Sequence, residues 1–257
     1  MSHKFFALST FTLLLLFSPV FAGENSLFAP DHLPFGIPQE PDLLVTRRGF
    51  ALGYSNKYRQ ALWVSYILTS ENTLGKRIRR SNKFAIDPAV RFMPVRPADY
   101  NRSGYDRGHL APAADMTYST LTMANSFLMS NISPQIPGCN RGIWKRLETQ
   151  VRKWALREEK VYIVTGPIFD LEYRAYRSFR LPVPKAFYKV VLDMTPPYKM
   201  AAFIVPNSTS KKRISSFAVS VDEVEKATGL DFFSALPDDV EIMLEMQTAL
   251  DQWVQKP

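Results

Sequence analysis

The chain has 257 residues, 46% of them hydrophobic, with one cysteine, three histidines and a formal net charge of +8. A single cysteine rules out an intrachain disulfide, and so few Cys and His residues argue against a structural zinc site, which usually takes four such ligands. The length suits one large domain with a substantial core, and the basic excess points to an acidic partner (nucleic acid, anionic lipid or polyanionic glycan) or simply to solubility.

Residues 1–22 read as a secretory signal peptide. His3 and Lys4 make a basic start, residues 5–17 are mostly apolar, and Pro19-Val20-Phe21-Ala22 ends on a small residue suited to cleavage after Ala22. The apolar run is shorter than the roughly 20 residues of a spanning helix, and no later segment is long and apolar enough. A secreted or periplasmic location without stable membrane insertion is therefore expected. Residues 23–48 read as an extended lead-in, because Pro30, Pro34, Pro38 and Pro41 forbid a regular helix. Residues 49–257 are expected to form one domain.

Residues 62–68 are rich in β-branched and aromatic side chains and predict a strand. A basic stretch follows with Lys76, Arg77, Arg79, Arg80 and Lys83, which as a bare charge run reads as a solvated loop. Leu121, Ala124, Phe127 and Leu128 predict a helix over 119–130. Leu147, Val151, Trp154 and Ala155 predict a second over 141–157. Residues 161–164, 187–192 and 200–205 predict three further strands. Ser220 and Glu223 form a capping-box pattern opening a short helix that ends before Gly229. Residues 238–255 predict a terminal amphipathic helix with Val240, Met243, Leu244, Leu250 and Val254 inward. The mixed element order favours the α+β class.

Most chemistry concentrates in Asp106-Arg107-Gly108-His109, which joins an acid, a guanidinium, a flexible hinge and an imidazole. His3 lies in the leader and His32 in the Pro-rich stretch. His109 is therefore the leading proton acceptor for neutral pH. Hydrolysis of a phosphodiester needs an activated water, positive charge and help for the departing oxygen. Hydrated Mg²⁺ can supply the last two and asks for few protein ligands. Thirty-one residues beyond His109, Asn140, Trp144, Glu148 and Arg152 recur at intervals of four on adjoining faces of the predicted helix. Asn140 offers a neutral amide oxygen, Glu148 a carboxylate and Arg152 a phosphate-binding guanidinium. Plainer roles compete. Asn140 suits a helix N-cap, Glu148 and Arg152 an exposed ion pair, Asp106 and Arg107 another, and Trp144 packing. Cys139 suits a small buried hydrophobe, with an intermolecular bridge as the other option.

Residues 105–116 (YDRGHLAPAADM), 127–137 (FLMSNISPQIP) and 140–148 (NRGIWKRLE) together resemble the DNA/RNA non-specific endonucleases of the ββα-metal, or His-Me finger, superfamily. Weaker similarity runs through 63–69, 164–169, 183–189, 204–207 and 225–233 in the same order, covering roughly residues 45–235. Cys139 departs from the Leu usual before the ligand Asn. The resemblance implies a central antiparallel sheet with flanking helices and a ββα-metal motif: two strands, the first bearing the His, and a metal-bearing helix. It implies His109 as general base, Asn140 as direct Mg²⁺ ligand (Mn²⁺ as a substitute), and Glu148 holding metal-bound water. Arg107, Arg152 and Arg80, with Arg79 close behind, are implied to contact phosphate, and Asp106 to orient its surroundings. DNA and RNA are the implied substrates, a protein inhibitor a possible partner, and monomer and homodimer both occur among such proteins. The rival expectations are an inactive nucleic-acid-binding module of this fold, or a phosphodiesterase or toxin acting on another substrate.

Overall fold

Runs of Val, Ile, Tyr and Phe pair readily because branched and aromatic side chains fit a pleated surface packed on both sides. The computed structural model describes residues 29–75, 77–170, 181–248 and 250–253, so the expected leader, Lys76 and Val254 lie outside the described residues. Among the described residues, seven strands form one sheet: β1 (Leu43–Arg47), β2 (Phe50–Ser55), β3 (Gln60–Thr69), β6 (Lys160–Ile168), β7 (Ala186–Asp193), β8 (Met200–Pro206) and β9 (Ala218–Val219). The order is β1-β2-β3-β6-β7-β8-β9, with every neighbouring pair antiparallel. Two short strands, β4 (Asp106–His109) and β5 (Ile132–Gln135), form a separate antiparallel pair. The expected α+β architecture with a central antiparallel sheet is what the chain adopts.

Alternation along the strands divides the core in two. Val161 and Ile163 face one side with Val64, Tyr66, Phe187 and Phe203. Tyr162 and Val164 face the other with Trp63, Tyr188 and Val190. Helix α4 (Lys145–Arg157) covers the first side with Leu147, Val151, Trp154 and Ala155, as its spacing predicts. Each such apolar side chain contributes about 1.5–3 kcal/mol on burial. Helix α5 (Val221–Thr228) covers the second side. Ser220 and Glu223 close the expected capping box, and Gly229 ends the helix at φ 73°. Three shorter helices are α1 (Ala29–His32), α2 (Ser70–Leu74) and α3 (Thr120–Ser126), the last capped by Ser119.

Four expectations need correction. The helix read over 119–130 ends at Ser126, and a separate 3₁₀ turn follows at Met129–Asn131. The sheet starts inside the expected lead-in, because Leu43, Leu44, Val45 and Thr46 pair with β2 despite the prolines before them. The terminal helix α6 covers only Asp238–Glu245. After Met246–Thr248 the chain makes a 3₁₀ turn at Leu250–Trp253. Leu244 is buried as expected, but Met243 is 55% exposed, and Trp253 takes a buried position that the spacing did not predict. The helix predicted from 141 begins earlier, as a π-helical turn over Cys139–Trp144 that breaks at Gly142 before α4 continues.

Candidate active site

The tetrad forms the whole of β4, so alternate residues face opposite ways. Gly108 is not a hinge: its Cβ would stand 2.2–2.5 Å from the buried Gln135 side chain, so glycine is required by close approach across the strand pair. Beyond β4, Asn131 fixes the next turn. Its Oδ1 accepts from Ala111 N at 2.9 Å, and its Nδ2 donates to Ala111 O and Ser126 O. His109 is thereby held 8% exposed, with its ring against Phe127 (4.8 Å, near perpendicular) and Phe84 (5.5 Å). Nε2 is enclosed without a hydrogen-bond partner among the described residues. Burial, then the nearby Arg80 charge, lowers the His109 pKa to about 3, so the ring is neutral at physiological pH.

The same two phenylalanines carry arginines on their faces. Arg80 lies 5.1 Å from the Phe127 ring centre and Arg107 5.1 Å from that of Phe84. Arg80 lies in an irregular segment anchored downstream by buried Asp87, which accepts from Arg47 (2.5 Å), Ser130 (2.5 Å) and Ala89 N (2.8 Å). Arg107 also donates to Pro97 O and Asn101 Oδ1, not to Asp106.

Helix α4 and the π-turn before it supply the other wall. Asn140 does not cap a helix with its side chain. Its Nδ2 donates to Asp106 Oδ2 at 2.8 Å, and Arg141 grips the same carboxylate at 2.8 and 2.6 Å. Burial works against the Asp106 charge, yet the Arg141 and Asn140 hydrogen bonds hold its pKa below the usual range. The Asn140 amide is thus oriented with Oδ1 free of donors among the described residues. Glu148 likewise accepts no hydrogen bond among them. It does not pair with Arg152, whose Nη1 donates to buried Asp115 at 2.7 Å, while Tyr66 donates to the other Asp115 oxygen at 2.8 Å. Burial raises the Glu148 pKa, and the Lys189 cation opposes the rise. Lys189 itself is fully buried on β7, its Nζ 5.0 Å from the Trp144 ring centre. Trp144 packs on Phe187 and is buried, the plainer of its expected roles, and Cys139 is a buried free thiol.

One cavity of about 400 Å³ is lined by Arg80, Arg107, His109, Asn140, Arg141, Lys145, Glu148 and Arg152 with Pro112, Ala113 and Ala114. A second, of about 460 Å³, shares Arg80, Arg107, Asn140 and Arg141 with it and adds Asp106, Phe84, Tyr100 and Tyr105. All seven residues singled out in the sequence therefore meet in one groove. Arg79 is exposed and lines neither cavity. Sequence reasoning missed Arg141, Lys145, Lys189 and the tethering role of Asp115. Arg141 was flagged only by its place beside Asn140. Lys189 had a signal: a lone charge inside an apolar strand.

Chemically, the groove joins a neutral imidazole, two undonated hard oxygens and five cationic side chains. Asn140 Oδ1 and the Glu148 carboxylate suit a hard divalent cation, which takes oxygen ligands and fills its shell with water. The guanidiniums suit phosphate oxygens, which they bind in bidentate fashion.

A sequence model of the family described as DNA/RNA non-specific endonuclease matches residues 29–239. The chain is 34% identical to mitochondrial Nuclease EXOG of Danio rerio over 79% of its own length and 64% of that protein's, so it spans just under two thirds of this relative. It is 35% identical to Nuclease C1 of Cunninghamella echinulata var. echinulata, covering 79% of this chain and 88% of that one. A chain in the crystal structure of the EndoG/EndoGI complex superposes with a TM-score of 0.75 at 29% identity, over 81% of this chain and 92% of that one.

Proposed function

The chain belongs to the DNA/RNA non-specific endonuclease family, and from that premise we propose that it is a divalent-metal-dependent endonuclease acting on DNA and RNA with little sequence preference. The observation that carries the reading is the groove itself, where a neutral histidine faces an oriented amide oxygen and a carboxylate amid arginines. Indifference to sequence follows when contacts go to phosphates rather than base edges.

Asn140 Oδ1 would hold the metal directly, and Glu148 would hold one of its waters. When bound, Mg²⁺ or Mn²⁺ supplies positive charge at the departing oxygen. His109 takes the proton of the attacking water. Its Nε2 is enclosed, which leaves Nδ1 as the accepting nitrogen. The oxygen of that water bonds to phosphorus as the bond to the leaving 3′-oxygen breaks, the leaving oxygen takes a proton from solvent water and His109 returns its own to solvent, giving a 5′-phosphate and a 3′-hydroxyl. Arg80, Arg107 and Arg152 bind the phosphate oxygens and neutralise charge that grows in the transition state. Asp106 keeps the Asn140 amide turned so that its oxygen, not its nitrogen, faces the groove.

Export is part of the proposal and rests on the residue pattern of 1–22, although the Danio rerio relative is mitochondrial. No helix among the described residues is long and apolar enough to cross a membrane. Because EndoG forms a complex with EndoGI in a structure that concerns EndoG inhibition, a protein inhibitor also fits the reading. The test is digestion of supercoiled plasmid and total RNA side by side with Mg²⁺, Mn²⁺ or EDTA. Cleavage of both that EDTA abolishes is expected. Intact substrates with either metal, despite measurable DNA binding, would instead indicate a binding module.

A further inference from the structure

The chain is basic overall, yet acids crowd the seam between α5 and α6, the helices remote in sequence from the tetrad. Asp222, Glu225 and Glu245 each place a carboxylate oxygen within 4.8 Å of the other two. Glu245 is 6% exposed, its carboxyl group contributes an oxygen to this cluster, and its Oε1 is buried without a hydrogen-bond partner among the described residues. The charges acting on Glu245 are those of Glu225, Glu241, Asp222 and Asp231, all acidic. Glu245 is also the last residue of α6, whose final turn carries no basic residue. A negative charge there meets the negative end of the helix dipole.

A buried, unpaired carboxylate beside other carboxylates is costly unless a cation or a proton neutralises it. Burial first, then repulsion from neighbouring acids, raises the Glu245 pKa to about 8. We propose that Asp222, Glu225 and Glu245 form a second divalent-cation site, of Ca²⁺ type, that ties α6 to α5. Ca²⁺ takes six to eight oxygens at 2.3–2.6 Å, so opposite ligands stand about 5 Å apart, and three atoms within 4.8 Å fit one shell. The cluster contains no His or Cys, which disfavours zinc. Glu225 Oε1 is steadied by Phe232 N at 2.9 Å, and exposed Asp222 leaves one side open for water to complete the shell. The site also bears on the far side of the molecule. Beyond α6 the chain returns to set Trp253 against Trp154 of α4, with ring centres 4.7 Å apart, and to donate from Trp253 Nε1 to Met200 O.

The test is thermal unfolding and calorimetric titration with Ca²⁺ alone, on the full chain stripped of metal. The Asn140→Ala variant, which lacks the proposed active-site ligand, separates the two sites. At about a hundred times its dissociation constant, Ca²⁺ should raise the melting temperature by about 5–10 °C in both wild type and Asn140→Ala. Glu245→Gln should lose that rise. So should Asp222→Asn, an exposed position where misfolding is not a concern, and nicking with saturating Mg²⁺ should be unchanged in both. A rise that disappears in Asn140→Ala but survives in Glu245→Gln and Asp222→Asn would place the ion in the catalytic groove and overturn the proposal. No rise in any form would mean that a proton, not a metal, neutralises the cluster, with the same consequence.

Discussion

Asp106 touches no substrate in the proposed mechanism, so replacing it isolates the orientation of Asn140. Its carboxylate accepts from Asn140 Nδ2 at 2.8 Å and from Arg141 at 2.8 and 2.6 Å. Asp106→Ala removes all three bonds and frees the amide to rotate its nitrogen toward the metal position. Loss of such an outer-shell partner typically weakens metal affinity by about 10–100-fold, which is about 1.4–2.7 kcal/mol. Asp106→Asn differs in kind. Its amide oxygen can still accept from Asn140, and only the ion pair with Arg141 is lost. Arg141 is 72% exposed, so solvent largely screens that pair and its loss should shift the metal requirement far less than the loss of the Asn140 contact. The assay is the half-saturating Mg²⁺ concentration for plasmid nicking, checked by direct Mn²⁺ titration. Equal shifts in the two variants, or no shift in Asp106→Ala, would refute the claim that Asp106 acts by turning the amide.

His109→Ala should lower turnover by about 10²–10⁴-fold while an uncleavable oligonucleotide still binds; near-normal turnover removes the residue from its role. Asn140→Ala should raise the metal requirement with little loss of melting temperature, because the side chain caps no helix. Asp115→Ala leaves the Arg152 guanidinium partly buried and unpaired, so denaturant unfolding should show about 3–5 kcal/mol lost, and a loss below about 1 kcal/mol would contradict the tether. His109 is predicted to stay neutral in NMR titrations down to pH 5. Its folded pKa lies below the unfolded 6.5, so its stabilising contribution is complete above pH 6.5 and is lost as pH falls toward about 3. Protonation near 6.5 would show that the ring is not buried.

What the sequence disclosed depended on the range of the interaction. β3, β6, β7 and β8 were legible because β-branched and aromatic runs mark a strand locally, and the Ser220 cap because its partner lies three residues away. β1 was hidden by neighbouring prolines, since pairing with β2 across a short turn outweighs a poor approach. The terminal helix was overextended because apolar spacing continues past Glu245 while the backbone does not. At the site, residue types were legible and partners were not. Asp106 with Asn140 spans 34 positions, and Arg152 with Asp115 spans 37, so local spacing offered adjacent Arg107 and Glu148 as partners instead. Gly108 looked like a hinge because only the fold shows Gln135 filling the space of its missing side chain.

Those long-range partners explain how a groove with so many like charges persists. Three of the groups that would meet substrate or metal are backed by groups that do not. Asn140 rests on Asp106, which Arg141 shares. Arg152 rests on Asp115, which Tyr66 shares. Glu148 faces Lys189 from beneath the helix. Asp115 is buried and Asp106 nearly so, while Arg80 and Arg141 are exposed, so the acids offset mutual repulsion among the cations and leave exposed guanidiniums available for phosphate. The His109 Nε2 has no hydrogen-bond partner among the described residues, and the ring is held by aromatic side chains and by Asn131 at the turn that follows it. Packing fixes its position without raising its pKa, as a hydrogen-bonded carboxylate would do. A base that must be unprotonated before water arrives, in a groove built to attract anions, is better served by that arrangement.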